Sequence, residues 1–256
     1  MPRFAANLTM MFTGLPFMDR FAAAENNGFK AAEFLFPYDV DPDDITEKLQ
    51  RHGLTQALFD LPPGNRAVGE RDLAALPGCE SEYRTSVIAA LRFAGIIVVD
   101  RLHVMRGNAS FADTEAVRIY RDSLAYLCDM VGGAGLTIVI EPINPRDMLG
   151  YFLNDFNFAA DLIADLALPN VKLQFDIYHW QVIYGDVMTG MGQLMPIIGH
   201  IQFAAVPLRH EPGTGELDDT RILHAIDDLG CTGFVGCEYR PTGDTVAEPA
   251  WRAAFS

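Results

Sequence analysis

Short apolar runs alternate with amphipathic segments along the whole chain. Several of the apolar runs are apolar almost throughout, which is typical of parallel strands that are covered on both faces. They predict eight strands, at residues 3–10, 30–36, 54–61, 101–105, 136–143, 171–178, 200–204 and 233–239.

The segments between these runs show the spacing of amphipathic helices. The clearest helix follows Asp113 and ends at Gly132. Its apolar stripe consists of Val117, Tyr120, Leu124, Leu127, Cys128 and Val131. Further helices are predicted before Gly28 and at residues 81–94, 155–167 and 218–229, with a weaker one at 186–195.

Strands that alternate with helices in this way indicate repeated βα units and a parallel sheet. A closed (βα)8 TIM barrel is favoured over an open doubly wound sheet for two reasons. No glycine-rich phosphate-binding motif follows the first strand, where ANLTMMFTG stands. Polar residues also end successive strands, as a ring of active-site loops requires. A chain of 256 residues matches one such barrel, so we expect a single domain over residues 1–256.

Composition and charge narrow the class of partner. The net charge of −15 argues against a nucleic-acid backbone or an anionic membrane, although a local Arg can still bind a small anionic substrate. No apolar run approaches the ~20 residues that span a bilayer, and the N-terminus lacks the pattern of a signal peptide. The four cysteines form no CxxC pair. We therefore expect reduced thiols and a soluble, cytoplasmic α/β protein.

Each of the last four predicted strands ends at or near a polar residue whose side chain carries oxygen. These residues are Glu141, Asp176, Gln202 and Glu238. Carboxylates that converge on a barrel mouth repel one another unless they are protonated or bridged by a cation. An all-oxygen set suits a hard divalent ion such as Mg²⁺ or Mn²⁺. The alternative is that each residue is simply a solvated strand end.

Other polar residues follow the same strands. His179 lies three residues after Asp176 and could reach substrate at the barrel mouth, or pack as an ordinary hydrogen-bonded histidine. His200 lies deeper than Gln202 on the same side of its strand, where a supporting hydrogen-bond donor is expected. Arg209 is a candidate for binding a substrate carboxylate, the alternative being a surface ion pair with Glu211.

Two loops at the carboxyl end of the predicted strands are longer than a βα unit requires. They cover residues 61–78 and 144–155. Long ordered loops on this face suggest a lid over a small substrate. The first loop carries Arg71 and Arg66, which are weaker candidates for substrate binding.

With these motifs the sequence resembles the hydroxypyruvate isomerase family, within the xylose-isomerase-like barrels. The matching segments are AAEFLFPY, LPPGNRAVGER, IEPIN, FDIYH, HIQFAAVPLRHEPGTGEL and CEYRP. The resemblance implies a metal bound by Glu141, Asp176, Gln202 and Glu238, with Glu141 and Glu238 also acting as the acid/base pair. It places His179 and Arg209 close to substrate. Arg106 departs from the pattern, because a small residue is expected there.

The chemistry of isomerisation agrees with such a pair. A carbonyl moves to the adjacent carbon when a proton is taken from one carbon and delivered to its neighbour through an enediolate, and two carboxylates can do both. The resemblance thus implies an isomerase acting on hydroxypyruvate. Alternatives within the same chemistry are a four-carbon 2-oxo acid isomerase and a ketose 3-epimerase. Alternatives in other classes are a phosphodiesterase acting on damaged DNA and a binding protein without turnover. Homo-oligomerisation is left open.

Overall fold

Eight short strands form the centre of the structure. They are β1 (Arg3–Asn7), β2 (Ala31–Phe34), β3 (Thr55–Asp60), β4 (Arg101–His103), β5 (Thr137–Ile140), β6 (Val171–Asp176), β7 (Ile198–Phe203) and β8 (Phe234–Cys237). In this computed structural model, which describes residues 2–64, 73–107, 112–243 and 251–252, each strand pairs in parallel with the next. Because β8 also pairs with β1, the sheet closes into a barrel, as the sequence predicts.

Helices connect the strands and cover the outside of the barrel. They are α1 (Arg20–Asn26), α2 (Pro42–Arg51), α3 (Glu80–Ile97), α4 (Thr114–Val131), α5 (Phe156–Leu166), α6 (Ile177–Ile183), α7 (Val187–Leu194) and α8 (Asp219–Asp228). Several begin at an aspartate whose side chain accepts a hydrogen bond from a backbone N–H of the first turn, which stabilises a helix by about 1 kcal/mol. These caps are Asp41, Asp113, Asp155, Asp176 and Asp218. None of the described helices combines the length and the apolar character needed to cross a membrane.

The predicted strands are confirmed in place, but most are shorter than predicted. The clearest correction concerns residues 171–178, since β6 ends at Asp176. The Asp176 carboxylate accepts hydrogen bonds from the backbone N–H groups of Tyr178 and His179 at 2.7 and 3.4 Å. It therefore starts α6 inside the apolar run, and His179 lies on a helix rather than beyond a strand.

A cluster of aromatic rings fills the space between β6, α5 and α6. Trp180 packs against Phe156 and Phe175, with ring centroids 5.0 and 5.1 Å away. Gly190 of α7 closes the other side, and a Cβ atom placed on it would lie 1.9 Å from Cζ2 of Trp180. The close approach of α7 to the barrel therefore depends on a glycine at position 190.

Gly190→Ala should destabilise the protein by about 1–3 kcal/mol, because an extra methyl group must displace a packed ring. Equilibrium urea unfolding followed by tryptophan fluorescence would measure this loss. Gly192→Ala is the matched control, since it lies in the same helix and its added Cβ meets no atom within 4 Å. The control should be neutral or slightly stabilising. Equal stability of the two variants would contradict the packing argument.

Candidate active site

A cavity of about 250 Å³ lies at the carboxyl end of the barrel strands. The polar residues of its wall are Asn7, Glu33, Asp60, His103, Glu141, Asp147, Gln174, His179, Gln202, Arg209, Glu238 and Arg240. The loop after β5, predicted as part of a lid, contributes Met148 to the wall. Active sites of such barrels occupy this face.

The strand register explains why the predicted ligand residues converge. Asp176 is paired with Gln202 across β6 and β7, and Gln202 is paired with Gly236 across β7 and β8. Glu238 lies two residues beyond Gly236 and so projects to the same side of the sheet. Glu141 follows β5 directly. Glu141, Gln202 and Glu238 reach the cavity wall, whereas Asp176 is completely buried behind it.

Burial and mutual repulsion dominate the electrostatics of this acidic cluster. Burial raises the pKa of Glu238 to about 8, Arg209 opposes the rise, and Asp176 adds to it. Burial also raises the pKa of Glu141 well above its ordinary value, with further contributions from Glu238 and Asp176. Without a compensating cation, the cluster therefore holds protons at neutral pH.

Arg209 supplies the positive charge nearest to these carboxylates. Its Nη2 donates to Glu238 Oε2 at 2.5 Å and lies 3.5 Å from Asp176 Oδ2. The alternative ion pair with Glu211 is not formed, because the Glu211 carboxylate accepts hydrogen bonds from Thr242 instead. Arg209 thus lies at the wall of the cavity, where the sequence predicts it.

His179 is buried beside the same carboxylates. Its Nδ1 accepts a hydrogen bond from the backbone N–H of Asn144 at 3.3 Å, and the Asn144 side-chain amide is 2.6 Å away. Burial lowers the pKa of His179 well below its ordinary value, so the ring is neutral. A neutral ring that accepts at Nδ1 carries its hydrogen on Nε2. That N–H lies 3.6 Å from Asp176 Oδ2, so His179 acts as a donor towards the site.

The cluster also offers the donor atoms that a divalent cation needs. Ligand atoms of Glu141, Asp176 and His179 lie within 4.8 Å of one another. Since the hydrogen on Nε2 makes His179 a donor, the oxygen atoms of the carboxylates and of Gln202 are the better ligands. Oε1 of Glu141 is buried and makes no hydrogen bond in the described part of the chain. This oxygen-rich set fits a hard divalent ion.

The ring of polar strand ends continues through the first half of the barrel, where sequence reasoning missed it. Asn7, Glu33, Asp60 and His103 lie at or near the ends of β1 to β4 and line the cavity. His103 Nδ1 is 3.2 Å from Asp60 Oδ1, and His103 Nε2 is 3.7 Å from Glu141 Oε2. The strand-end rule that found Glu141 would have found Asp60 at the end of the apolar run 54–61, whereas Glu33 lies inside its run.

Three arginines singled out from the sequence do not add to the described site. Arg71, like Arg66, lies outside the described residues. Arg106 is completely buried outside the cavity wall, with its guanidinium carbon 3.2 Å from the ring centre of Tyr120. Arg106 therefore packs in the protein interior, and its neighbour Met105 lines the cavity instead.

Comparison with known proteins identifies relatives over the whole chain. Residues 21–255 match the family described as xylose isomerase-like TIM barrel. The chain is 47% identical to 2-oxo-tetronate isomerase of Cupriavidus necator, over 98% of this chain and 97% of that protein. It is 38% identical to hydroxypyruvate isomerase of Escherichia coli, over 98% of both chains.

Solved structures share the fold. The crystal structure of an AP endonuclease of family 2 from Brucella melitensis superposes with a TM-score of 0.96, at 40% identity, over 100% of this chain and 99% of that chain. The crystal structure of 3-keto-D-glucoside 4-epimerase from E. coli has a TM-score of 0.75 at 17% identity, over 100% of this chain and 97% of that chain. The second likeness shows the fold alone.

Proposed function

This chain belongs to the xylose isomerase-like TIM barrel family and is an isomerase, and we propose that it interconverts hydroxypyruvate and 2-hydroxy-3-oxopropanoate. In this reaction the carbonyl group next to the carboxylate moves to the neighbouring carbon. The observation that carries the proposal is that Glu141 and Glu238, both with raised pKa values, line one small cavity.

Glu141 and Glu238 transfer the proton in this proposal. One carboxylate takes a proton from the hydroxymethyl carbon, which gives a planar enediolate. The other carboxyl group delivers a proton to the adjacent carbon, while the hydroxyl proton of the first carbon passes to the former carbonyl oxygen. The roles of the two glutamates reverse in the opposite direction. A raised pKa suits both tasks, because each group must exist in both protonation states near neutral pH.

Arg209 and His179 orient the substrate. The Arg209 guanidinium can bind a substrate carboxylate with two parallel hydrogen bonds, and the Nε2–H of His179 donates to a substrate oxygen. Arg71 is proposed as a second contact. Holding the acid in one orientation places its reacting carbons between the two glutamates and lowers the entropic part of the barrier.

Glu141, Asp176, Gln202 and Glu238 are proposed to hold a divalent cation, Mg²⁺ or Mn²⁺. Such an ion would act as a Lewis acid that stabilises negative charge on the substrate oxygens. Support comes from the buried, oxygen-rich set with a free Glu141 oxygen among the described residues. The ion would also relieve the repulsion among the carboxylates.

The second candidate substrate is 2-oxo-tetronate. The relative from C. necator that carries this name is 47% identical to the chain, whereas the E. coli hydroxypyruvate isomerase is 38% identical. Both acids share the carboxylate and the neighbouring carbonyl, so the same residues would bind them. They differ in one hydroxyl-bearing carbon, for which the cavity must have room.

Cleavage of DNA fits the site poorly. A phosphodiester backbone requires a basic surface, and the net charge of this chain is −15. The cavity is small, and the described residues of its wall include five carboxylates against two arginines.

Incorporation of solvent deuterium tests the proposal. We expect purified protein with Mn²⁺ in D₂O to label the hydroxymethyl carbon of hydroxypyruvate, as followed by proton NMR. Parallel incubations with 2-oxo-tetronate and a ketose panel rank the substrates by kcat/KM. Exchange with 2-oxo-tetronate alone would transfer the proposal to the four-carbon acid. Absence of exchange with every substrate would reject isomerisation.

A further inference from the structure

Glu33 is a completely buried carboxylate on β2 that the proton transfer described above does not use. Three side chains donate hydrogen bonds to it. Asn7 Nδ2 and Gln202 Nε2 lie 3.0 and 2.8 Å from Oε1, and His200 Nε2 lies 2.8 Å from Oε2. The carboxylate thus connects β1, β2 and β7 at the floor of the cavity.

Gly236 on β8 makes room for this carboxylate. A Cβ atom at position 236 would lie 2.3 Å from Oε2 and 2.4 Å from Oε1 of Glu33. Gly236 is also the residue paired with Gln202 in the sheet. Position 236 must therefore lack a side chain for the Glu33 carboxylate to reach the Gln202 amide.

Contact with Glu33 determines which way the Gln202 amide faces. A carboxylate accepts hydrogen bonds only, so the NH₂ group of Gln202 must point towards Glu33 and its oxygen away from it. That oxygen accepts a hydrogen bond from Gln174 Nε2 at 2.6 Å. The hydrogen bonds run in one direction, from Gln174 through Gln202 to Glu33. Rotating the amide by half a turn would place its oxygen against the carboxylate.

We propose that Glu33 is a positioning residue that fixes the Gln202 amide with its oxygen towards the cation site. The inference rests on the proposed function, in which Gln202 supplies a ligand oxygen. Two lone pairs on that oxygen allow it to accept from Gln174 and still bind a cation. The other donors to Glu33 keep the carboxylate in place.

A purely structural role would not favour a carboxylate at this position. Burial removes a carboxyl group from water, which is unfavourable, and apolar side chains of similar volume often stabilise a core as well or better. Residues that orient metal ligands typically change metal affinity by about 10–100-fold when they are replaced. Replacing Glu33 should therefore lower stability if its role is structural, and should lower cation affinity if it orients a ligand.

Glu33→Met is the first test, because methionine has a similar size and accepts no strong hydrogen bond. We expect the Kd for Mn²⁺ alone, measured by titration calorimetry, to rise about 10–100-fold, with the thermal midpoint unchanged or raised. Gln56→Met is the matched control: Gln56 is buried on β3, donates to Leu58 O, and lies outside the cavity wall. Its Mn²⁺ affinity should equal that of wild type. A lowered midpoint with unchanged Mn²⁺ affinity would assign Glu33 a structural role only.

If Glu33→Met does not fold, a double variant that exchanges the Glu and Gln at positions 33 and 202 tests the inference. Gln202→Glu places two carboxylates in contact and should weaken Mn²⁺ binding. Adding Glu33→Gln supplies an NH₂ donor to the new carboxylate and should recover at least tenfold in affinity. Lack of recovery would overturn the inference.

These measurements separate the inference from the proposed function. Wild type that binds Mn²⁺ but isomerises no acid would reject the function, while the Glu33 result would stand on Mn²⁺ affinity. Wild type that isomerises hydroxypyruvate while Glu33→Met binds Mn²⁺ normally would reject only the positioning role. Wild type that binds no Mn²⁺ would overturn the inference.

Discussion

Replacing Glu238 with Gln is expected to lower kcat by on the order of 10²–10⁴-fold, the usual contribution of a general acid or base. The substitution preserves the size of the side chain and a hydrogen-bond acceptor for Arg209, but it removes the group that takes and returns the proton. Glu141→Gln should have an effect of similar size, because the two glutamates act in one transfer. Solvent-deuterium exchange and turnover of hydroxypyruvate measure both.

The control for these variants is Glu211→Gln. Glu211 accepts hydrogen bonds from Thr242 rather than from a residue of the acidic cluster, so its loss should leave kcat nearly unchanged. Titration with Mn²⁺ separates lost chemistry from lost cation binding. Full turnover in both Glu141→Gln and Glu238→Gln would contradict the proposed acid/base roles. A wild type that binds hydroxypyruvate without exchange would make the protein a binding protein.

The barrel was predictable because its strands are buried on both faces and therefore stand out as apolar runs. What the apolar pattern could not show is where each run leaves the sheet. At Asp176 the strand becomes α6 within the run FDIYH, because the carboxylate caps the helix that follows. Capping is a local hydrogen bond, and hydrophobicity alone does not reveal it. The apolar pattern also did not reveal helix α2. Its buried face is narrow, because only Ile45 and Leu49 are buried.

The sequence prediction covered only the second half of the site. Glu141, Asp176 and Glu238 each follow an apolar run, and the motifs around them carry the family resemblance. Glu33 lies inside such a run, in AAEFLF, where a single polar residue looks like an interruption of a strand. Its partners come from β1 and β7, far away in sequence, so only the closed sheet shows that they meet. The requirement for glycine at position 236 likewise appears only in the packing.

Without divalent cations, the protein should lose stability as the pH rises from about 6.5 to 8. The pKa of Glu238 is about 8 in the folded protein, against an ordinary value of 4.5. A raised carboxyl pKa means that the folded state binds the proton more tightly, so the associated stability is present at low pH and is lost as the pH approaches 8. The buried Glu141 contributes with the same sign. The loss is at most roughly 1.4 kcal/mol per pH unit for each proton.

The lower limit of this range is set by His179. Burial lowers its pKa, so protonating the ring at acidic pH favours unfolding, and this effect opposes that of the glutamates. Above pH 6.5 the histidine of the unfolded state loses the rest of its charge within about one pH unit, so its opposing effect fades while the carboxyl groups of the cluster still titrate. Burial also raises the pKa of the Cys128 and Cys237 thiols, and these lower the stability further only as the pH approaches the ordinary thiol value of about 8.5. Thermal unfolding with EDTA across pH 6.5–8, with Glu238→Gln as the comparison, is therefore the measurement that tests the acidic cluster.

Mn²⁺ should reverse this dependence, because a cation replaces the protons that the cluster otherwise holds and binds more tightly as they leave. The thermal midpoint with saturating Mn²⁺ should stay level or rise over the range in which the EDTA sample loses several degrees. Glu238→Gln with EDTA should show a smaller fall than wild type, since it lacks the group with a pKa of about 8. If the wild-type midpoint is independent of pH with EDTA, or falls equally in Glu238→Gln, then Glu238 does not hold a proton in the folded protein. The raised pKa would then no longer support its place in the proton transfer.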